Sequence, residues 1–179
     1  MAIKTFTTGD VLTASDTNTY LANSGMVFIK QQTISSGSSL NVTSAFSSTY
    51  DRYRITIDGI VASSGGDVRF QLGSTTASYY GVYNYQAPAG TTAVFYTNNG
   101  ATAYIGGHDA FADQTITLDI ANPNKALRTT WTGQAFGNNY YFNFGYQLAD
   151  TTQYTDFTIY TGGPTWSSGT VTVYGYRKQ

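Results

Sequence analysis

Few residues in this chain of 179 are equipped for chemistry. His108 is its only histidine, and it stands in Gly106-Gly107-His108-Asp109-Ala110-Phe111-Ala112-Asp113. An imidazole and two carboxylates so close in sequence, His108, Asp109 and Asp113, could ligate a metal ion or exchange a proton. The plainer reading is a turn built on the glycine pair with the polar residues solvated. It is preferred because a lone histidine beside carboxylates is a weak motif. A serine nucleophile would need this same histidine as its base, yet the chain contains no Gly-x-Ser-x-Gly elbow. Glycoside hydrolysis needs two facing carboxylates. Asp58, Asp67, Asp119 and Asp156 fall on strand faces read as wet, and nothing in their spacing brings two of them together. No cysteine is present, so thiolate metal sites and disulfides are excluded. The chain is therefore expected not to be an enzyme, with no catalytic residue, no metal site and no cofactor assigned.

Aromatic residues carry the stronger signal. The chain has 16 Tyr, and aromatics make up 16% of it. Sugars present apolar CH faces ringed by hydroxyls. Tyr and Trp beside Asn, Asp or Gln can receive both, the rings by stacking and the polar groups by hydrogen bonding. The candidate contacts for a glycan or a partner are Tyr79, Tyr80, Tyr83 and Tyr85, then Asn139, Tyr140 and Tyr141, and Trp166 within Thr161-Gly162-Gly163-Pro164-Thr165-Trp166-Ser167. The competing reading for each is packing in the core or between subunits, and Trp131, in mid-strand, is assigned to the core.

Charge excludes other partners. Charged residues are 11% of the chain and the net charge is −1, which leaves no field to attract nucleic acid or an anionic membrane. Arg52, Arg54, Arg69, Arg128 and Arg177 are scattered, so single-strand nucleic-acid binding by interleaved bases and aromatics is rejected. No stretch has the length of a membrane span, and no signal-peptide core opens the chain, so assembly without export is expected.

The elements that position these residues read as strands. All 10 acidic residues are Asp, and Gly, Thr, Ser and Tyr abound, a composition suited to strands and turns. A strand begins at Met26 and can reach Ile34. Tyr53, Ile55 and Ile57 alternate with Arg54, Thr56 and Asp58, and after Ser63-Ser64-Gly65-Gly66 the pattern returns with Val68, Phe70 and Leu72 inward. These two runs are expected to pair as a hairpin. From Ser78 to Ile105 alternation is obscure, and short strands with loops are expected. Ile116, Leu118 and Ile120 mark a further inward face. Strands follow at 127–136, 140–148, 154–160 and 170–177, with Asn138-Asn139 as a tight turn. Val171 and Val173 share one face of the last strand, and Tyr174 and Tyr176 the other. The fold expected is all-β, an antiparallel jelly-roll-like β-sandwich over 35–179, preceded by a segment, 1–34, that holds the only helix.

That helix lies in Phe6 to Gly25. Thr13 or Ser15 can cap it, Asp16 places negative charge in the first turn, and Asn23-Ser24-Gly25 supplies a left-handed stop. Two to three turns do not repay helix nucleation in water. Phe6, Val11, Leu12, Tyr20 and Leu21 are therefore expected to pack against another subunit or a larger assembly.

The run Phe6, Gly9-Asp10-Val11-Leu12-Thr13-Ala14-Ser15 and Asn18-Thr19-Tyr20-Leu21 resembles the opening of many small tail and fibre proteins of tailed bacteriophages. Thr152-Gln153-Tyr154-Thr155-Asp156-Phe157 and Ser168-Gly169-Thr170-Val171-Thr172-Val173-Tyr174-Gly175-Tyr176-Arg177 resemble the closing strands of phage β-sandwich domains, and Tyr50-Asp51-Arg52-Tyr53-Arg54-Ile55 and Ala121-Asn122-Pro123 fit the same pattern. The resemblance implies a virion structural protein, assembled in the host cytoplasm and attached through its N-terminus as a homotrimer to a protein of the tail, baseplate or capsid. A tail-fibre subunit would bind host surface polysaccharide. The alternatives are a head decoration, or cement, protein and, outside the virion, a carbohydrate-binding module or depolymerase.

Overall fold

The computed structural model describes residues 7–16, 25–87, 90–108, 113–137 and 140–177. Alternation of apolar and polar side chains shapes most of it. The first strands are β1 (Met26–Thr33), β2 (Ser39–Val42), β3 (Arg52–Ala62), β4 (Gly66–Leu72), β5 (Tyr79–Gln86) and β6 (Thr92–Gly100). Then come β7 (Ala103–His108), β8 (Gln114–Ala121), β9 (Thr129–Gly137), β10 (Tyr140–Leu148), β11 (Phe157–Thr161) and β12 (Trp166–Tyr176). They form two antiparallel sheets, an eight-stranded one in the order β1-β12-β3-β8-β9-β10-β5-β6 and a four-stranded one in the order β2-β11-β4-β7. The fold is the expected all-β sandwich.

Four strand pairs nest inside one another: β1 with β12, β2 with β11, β3 with β8 and β4 with β7. The first and third pairs lie in the large sheet, the second and fourth in the small one. The nesting overturns the expected hairpin between β3 and β4. β3 pairs with β12 and β8, whereas β4 pairs with β11 and β7 in the opposite sheet. Both strands have one apolar face, and such strands can bury it by facing each other across a core as well as by lying side by side. The stretch expected to be short strands and loops forms β5, β6 and β7. Tyrosines on both faces of β5, Tyr79 inward and Tyr80 outward, had masked its alternation.

Ile55, Ile57, Val68, Phe70, Leu72, Ile116, Leu118 and Val173 are all fully buried between the sheets. Trp131 of β9 packs across the interface on Phe70 of β4, ring centroids 5.5 Å apart, and stacks on Tyr146 of the neighbouring strand at 5.9 Å. Each such aromatic contributes about 1.5–3 kcal/mol by burial. Two glycines admit rings at close range. A Cβ on Gly81 would strike the ring of Tyr146, and one on Gly133 would meet Phe144 at 2.5 Å.

The N-terminal helix is described as α1 (Ala14–Asp16), and the rest of the span expected to be helical lies outside the described residues. Its start matches the sequence reading: Thr13 Oγ1 accepts the Asp16 N–H at 3.1 Å, and the Asp16 carboxylate accepts the Thr13 N–H at 3.2 Å. This reciprocal cap satisfies donors that a helix start leaves free. β1, N-terminal to the boundary expected at residue 35, is hydrogen-bonded along its length to β12 and so belongs to the sandwich.

Candidate functional site

The two sheets are unequal, and the site lies where the smaller one stops. β7 is its edge strand, and it packs over β9, β10 and β5 of the larger sheet. Gly106 and Gly107 permit this approach: a Cβ on Gly107 would meet the Phe142 ring at 3.1 Å. Beyond β7, and among the described residues, the inward face of β5, β6 and β10 has no strand of the small sheet above it.

Register brings aromatic residues together where β7 ends and that face begins. Tyr85 lies opposite Phe142 across the β5–β10 ladder, and Tyr83 lies opposite Phe95 across the β5–β6 ladder. Phe95 stacks on Tyr83 with centroids 5.0 Å apart and planes 11° apart, and reaches Tyr85 at 5.9 Å and 8°. Tyr104, from β7, stacks on Tyr83 at 5.1 Å. Tyr140 adjoins Tyr85 at 6.3 Å and stacks on Phe142 at 6.1 Å. Tyr83, Tyr85, Phe95, Tyr140 and Phe142, together with Gly65, Gly66, Asp67 and Gly107, line a cleft of about 430 Å³.

Its polar groups are placed at the rim. Asp67 pairs with Arg69 at 3.3 Å, and the Arg69 guanidinium lies 5.0 Å over the Tyr104 ring. Burial, followed by the charge of Asp67, pushes the Tyr83 phenol up to about 12. Tyr83 therefore remains a neutral hydroxyl, able to donate and to accept, throughout the physiological range. Flat apolar rings, a phenol and a carboxylate converging in one cleft are the complement of a sugar, which needs stacking surface and hydrogen-bond partners together.

The structure sorts the sequence candidates. Tyr83, Tyr85 and Tyr140 meet in the cleft. Tyr80 and Tyr141 belong to the opposite face of the same sheet, since successive side chains of a strand alternate. Tyr79 and Trp166 are corrected as surface contacts. Tyr79 is fully buried and its hydroxyl accepts the Leu72 N–H at 2.8 Å; Trp166 is buried where β12 meets Gly37. Both follow the strand period inward and pack in the core. Val11 and Leu12 are exposed, by 82% and 50%, on this single chain. Phe6, Tyr20, Leu21, Asn139, Asp109 and the side chain of His108 lie outside the described residues. Asp113 is exposed, and among the described residues no three His, Cys, Asp or Glu side chains are placed to hold a metal ion.

Phe95, Tyr104, Phe142 and Asp67 were not singled out as site residues. Phe142 alternates with Tyr140 and Phe144 and so could be assigned to a face, but its meeting with Phe95 and Asp67 depends on which strands pair. The chain matches no protein-family model, and a search of the curated proteins finds no match.

Proposed function

We propose that this chain is a fibre-like structural subunit of a tailed-phage virion, held to the particle by its N-terminal segment and binding host surface glycan through its sandwich. The aromatic cleft between Tyr83, Tyr85, Phe95 and Tyr140 carries the reading, because stacked rings beside a carboxylate and neutral phenols suit a polyhydroxylated ligand. Support for the attachment half comes from the phage-like N-terminal run and from Val11 and Leu12, apolar side chains left in solvent by the isolated chain. The nested strand pairs, with β5–β6 and β9–β10 added at one edge, are read as an extended jelly roll. The subunit is taken to act as a homotrimer.

Competition for adsorption tests this function. Purified protein should block adsorption of the particle to its host in a dose-dependent way, and Tyr85→Ala should block at least about tenfold less well, equivalent to about 1.4 kcal/mol of binding. Undiminished adsorption at saturating protein would remove the fibre reading and favour the head-decoration alternative.

A further inference from the structure

The outward face of the eight-stranded sheet carries a second surface, turned away from both the small sheet and the cleft. Across it, in register, run Thr56, Thr117, Gln134, Asn143 and Asn84, one from each of β3, β8, β9, β10 and β5. At the usual strand spacing this makes an uncharged ladder of hydroxyls and amides about 19 Å long. In the adjoining row Arg54 and Asp119 neutralise each other through hydrogen bonds of 3.0 and 2.6 Å, with Tyr176 donating to the same carboxylate at 2.7 Å. The side chains of Asn84, Thr117 and Thr132 make no hydrogen bond with other described residues.

Three depressions indent this face and join end to end. The largest, about 890 Å³, lies between Tyr80, Thr130, Gln147 and Tyr176, and shares Asp119 and Thr132 with a second of about 360 Å³. The second shares Asn143 with a third of about 310 Å³ beside Gln86 and Thr92. The result is an oblique trough bordered by tyrosines: Tyr80 of β5 and Tyr176 of β12 flank its broad part from opposite sides, and Tyr141 stands at the narrow end, where it packs on Phe136 at 4.8 Å.

We propose that this trough binds an extended, uncharged polysaccharide chain, several sugar units at a time. Such a chain offers hydroxyls along its whole length, which the side chains of Asn84, Thr117 and Thr132 can meet, while Gln134 and Asn143 hold the Tyr141 hydroxyl at 3.1 and 2.7 Å, and it offers CH faces at intervals, which the bordering tyrosines can cover. Nucleic acid would require cations along the trough. Among the described residues the cations lining it are Arg54, paired with Asp119, and Arg52, in the largest depression alone. A protein partner would need an apolar centre to the surface, whereas the centre here is Thr, Gln and Asn. Tyr85 borders both the third depression and the cleft of the proposed function, but the two open on opposite faces of the sheet: Asn84 and Tyr85 are consecutive in β5, and their side chains point to opposite faces.

The test uses the full-length protein on an array of linear neutral glucans, galactans and mannans, from disaccharides to octasaccharides. Binding to at least one series should tighten by about tenfold or more as the chain lengthens. Thr132→Trp, which fills the trough from an exposed position, should abolish that length dependence while leaving the melting temperature unchanged, and Phe95→Ala, at a residue that lines the cleft and not the trough, should leave it in place. Affinity that is independent of length, insensitive to Thr132→Trp, or absent for every series overturns the proposal. Loss only in Phe95→Ala would assign all glycan binding to the cleft. Loss only in Thr132→Trp would retain the trough and remove the cleft.

Discussion

Phe95 lies flat on Tyr83, ring centroids 5.0 Å apart and planes 11° apart, across a β5–β6 ladder that places both residues on the inward sheet face beside β7, whose Tyr104 stacks on Tyr83. The pair floors one side of the cleft, and Phe95 is still 43% exposed. Phe95→Ala should cost about 0.5–1.5 kcal/mol of stability, the usual worth of an aromatic pair. Glycan binding should fall by much more than the melting temperature suggests. Thermal melts and a binding titration on one preparation check this; a variant that binds normally shows that the cleft rings are packing alone.

Tyr79 is a phenol inside the core, its hydroxyl accepting the Leu72 N–H at 2.8 Å. Tyr79→Phe preserves the ring but leaves that N–H without its acceptor, so it should destabilise by about 1–3 kcal/mol. Burial raises the phenol above its ordinary value, the Leu72 hydrogen bond opposing this in part. Its stabilising contribution is therefore fully present below about pH 10 and is lost as the pH rises past the unfolded-state value. Chemical denaturation at pH 8 and above pH 10 should show a shallower alkaline loss in Tyr79→Phe than in the wild type.

Asp119 responds to pH in the opposite sense. Burial raises its carboxyl, but the hydrogen bonds from Arg54 and Tyr176 and the charges of Arg54 and Arg52 outweigh burial and hold it below its ordinary value. The ion pair thus stabilises the fold above about pH 4 and is lost as the pH falls through the folded-state value. Because both side chains are more than one third exposed, at 37% and 40%, the contribution is that of a screened surface pair, about 0.2–1 kcal/mol. Asp119→Asn should lower the melting temperature slightly at pH 7, with the difference from wild type vanishing toward pH 2. A difference that persists at low pH would show that the asparagine disturbs packing.

The sandwich begins at β1, so removal of residues 1–24 leaves every described strand in place, along with the Gly25 carbonyl that accepts the Arg177 N–H at 3.3 Å. The truncated chain should unfold cooperatively within a few degrees of the full-length protein while failing to join the particle. Circular dichroism and electrophoresis of purified particles separate the two effects, and normal incorporation would refute attachment through this segment.

Which residues turn inward was legible in the strands whose two faces differ in chemistry. Ile55 and Ile57, Val68 to Leu72, and Ile116 to Ile120 alternate with Thr, Arg, Gln and Asp, and all of these apolar residues are buried. The helix start was legible in part: Thr13 was one of two cap candidates with Ser15, and its reciprocal bonding with Asp16 was decided by the structure. β5 was not, since Tyr79 and Tyr80 are alike in composition and differ only in environment. The cleft was half legible: Tyr83, Tyr85 and Tyr140 were chosen for type, Tyr79 and Trp166 were chosen on the same ground and are core, and Phe95, Phe142 and Asp67 were passed over.

By itself the sequence determined that this is a strand-built, cysteine-free protein of low charge, and which side of its well-patterned strands faces inward, because a strand's two-residue period is a local property. Only the tertiary structure decided that β3 and β4 lie in opposite sheets, that the small sheet ends at β7, and that three tyrosines and two phenylalanines therefore meet in an open cleft. Pairing between strands far apart in the chain is settled by how all the apolar faces can be covered at once, and no single segment carries that information.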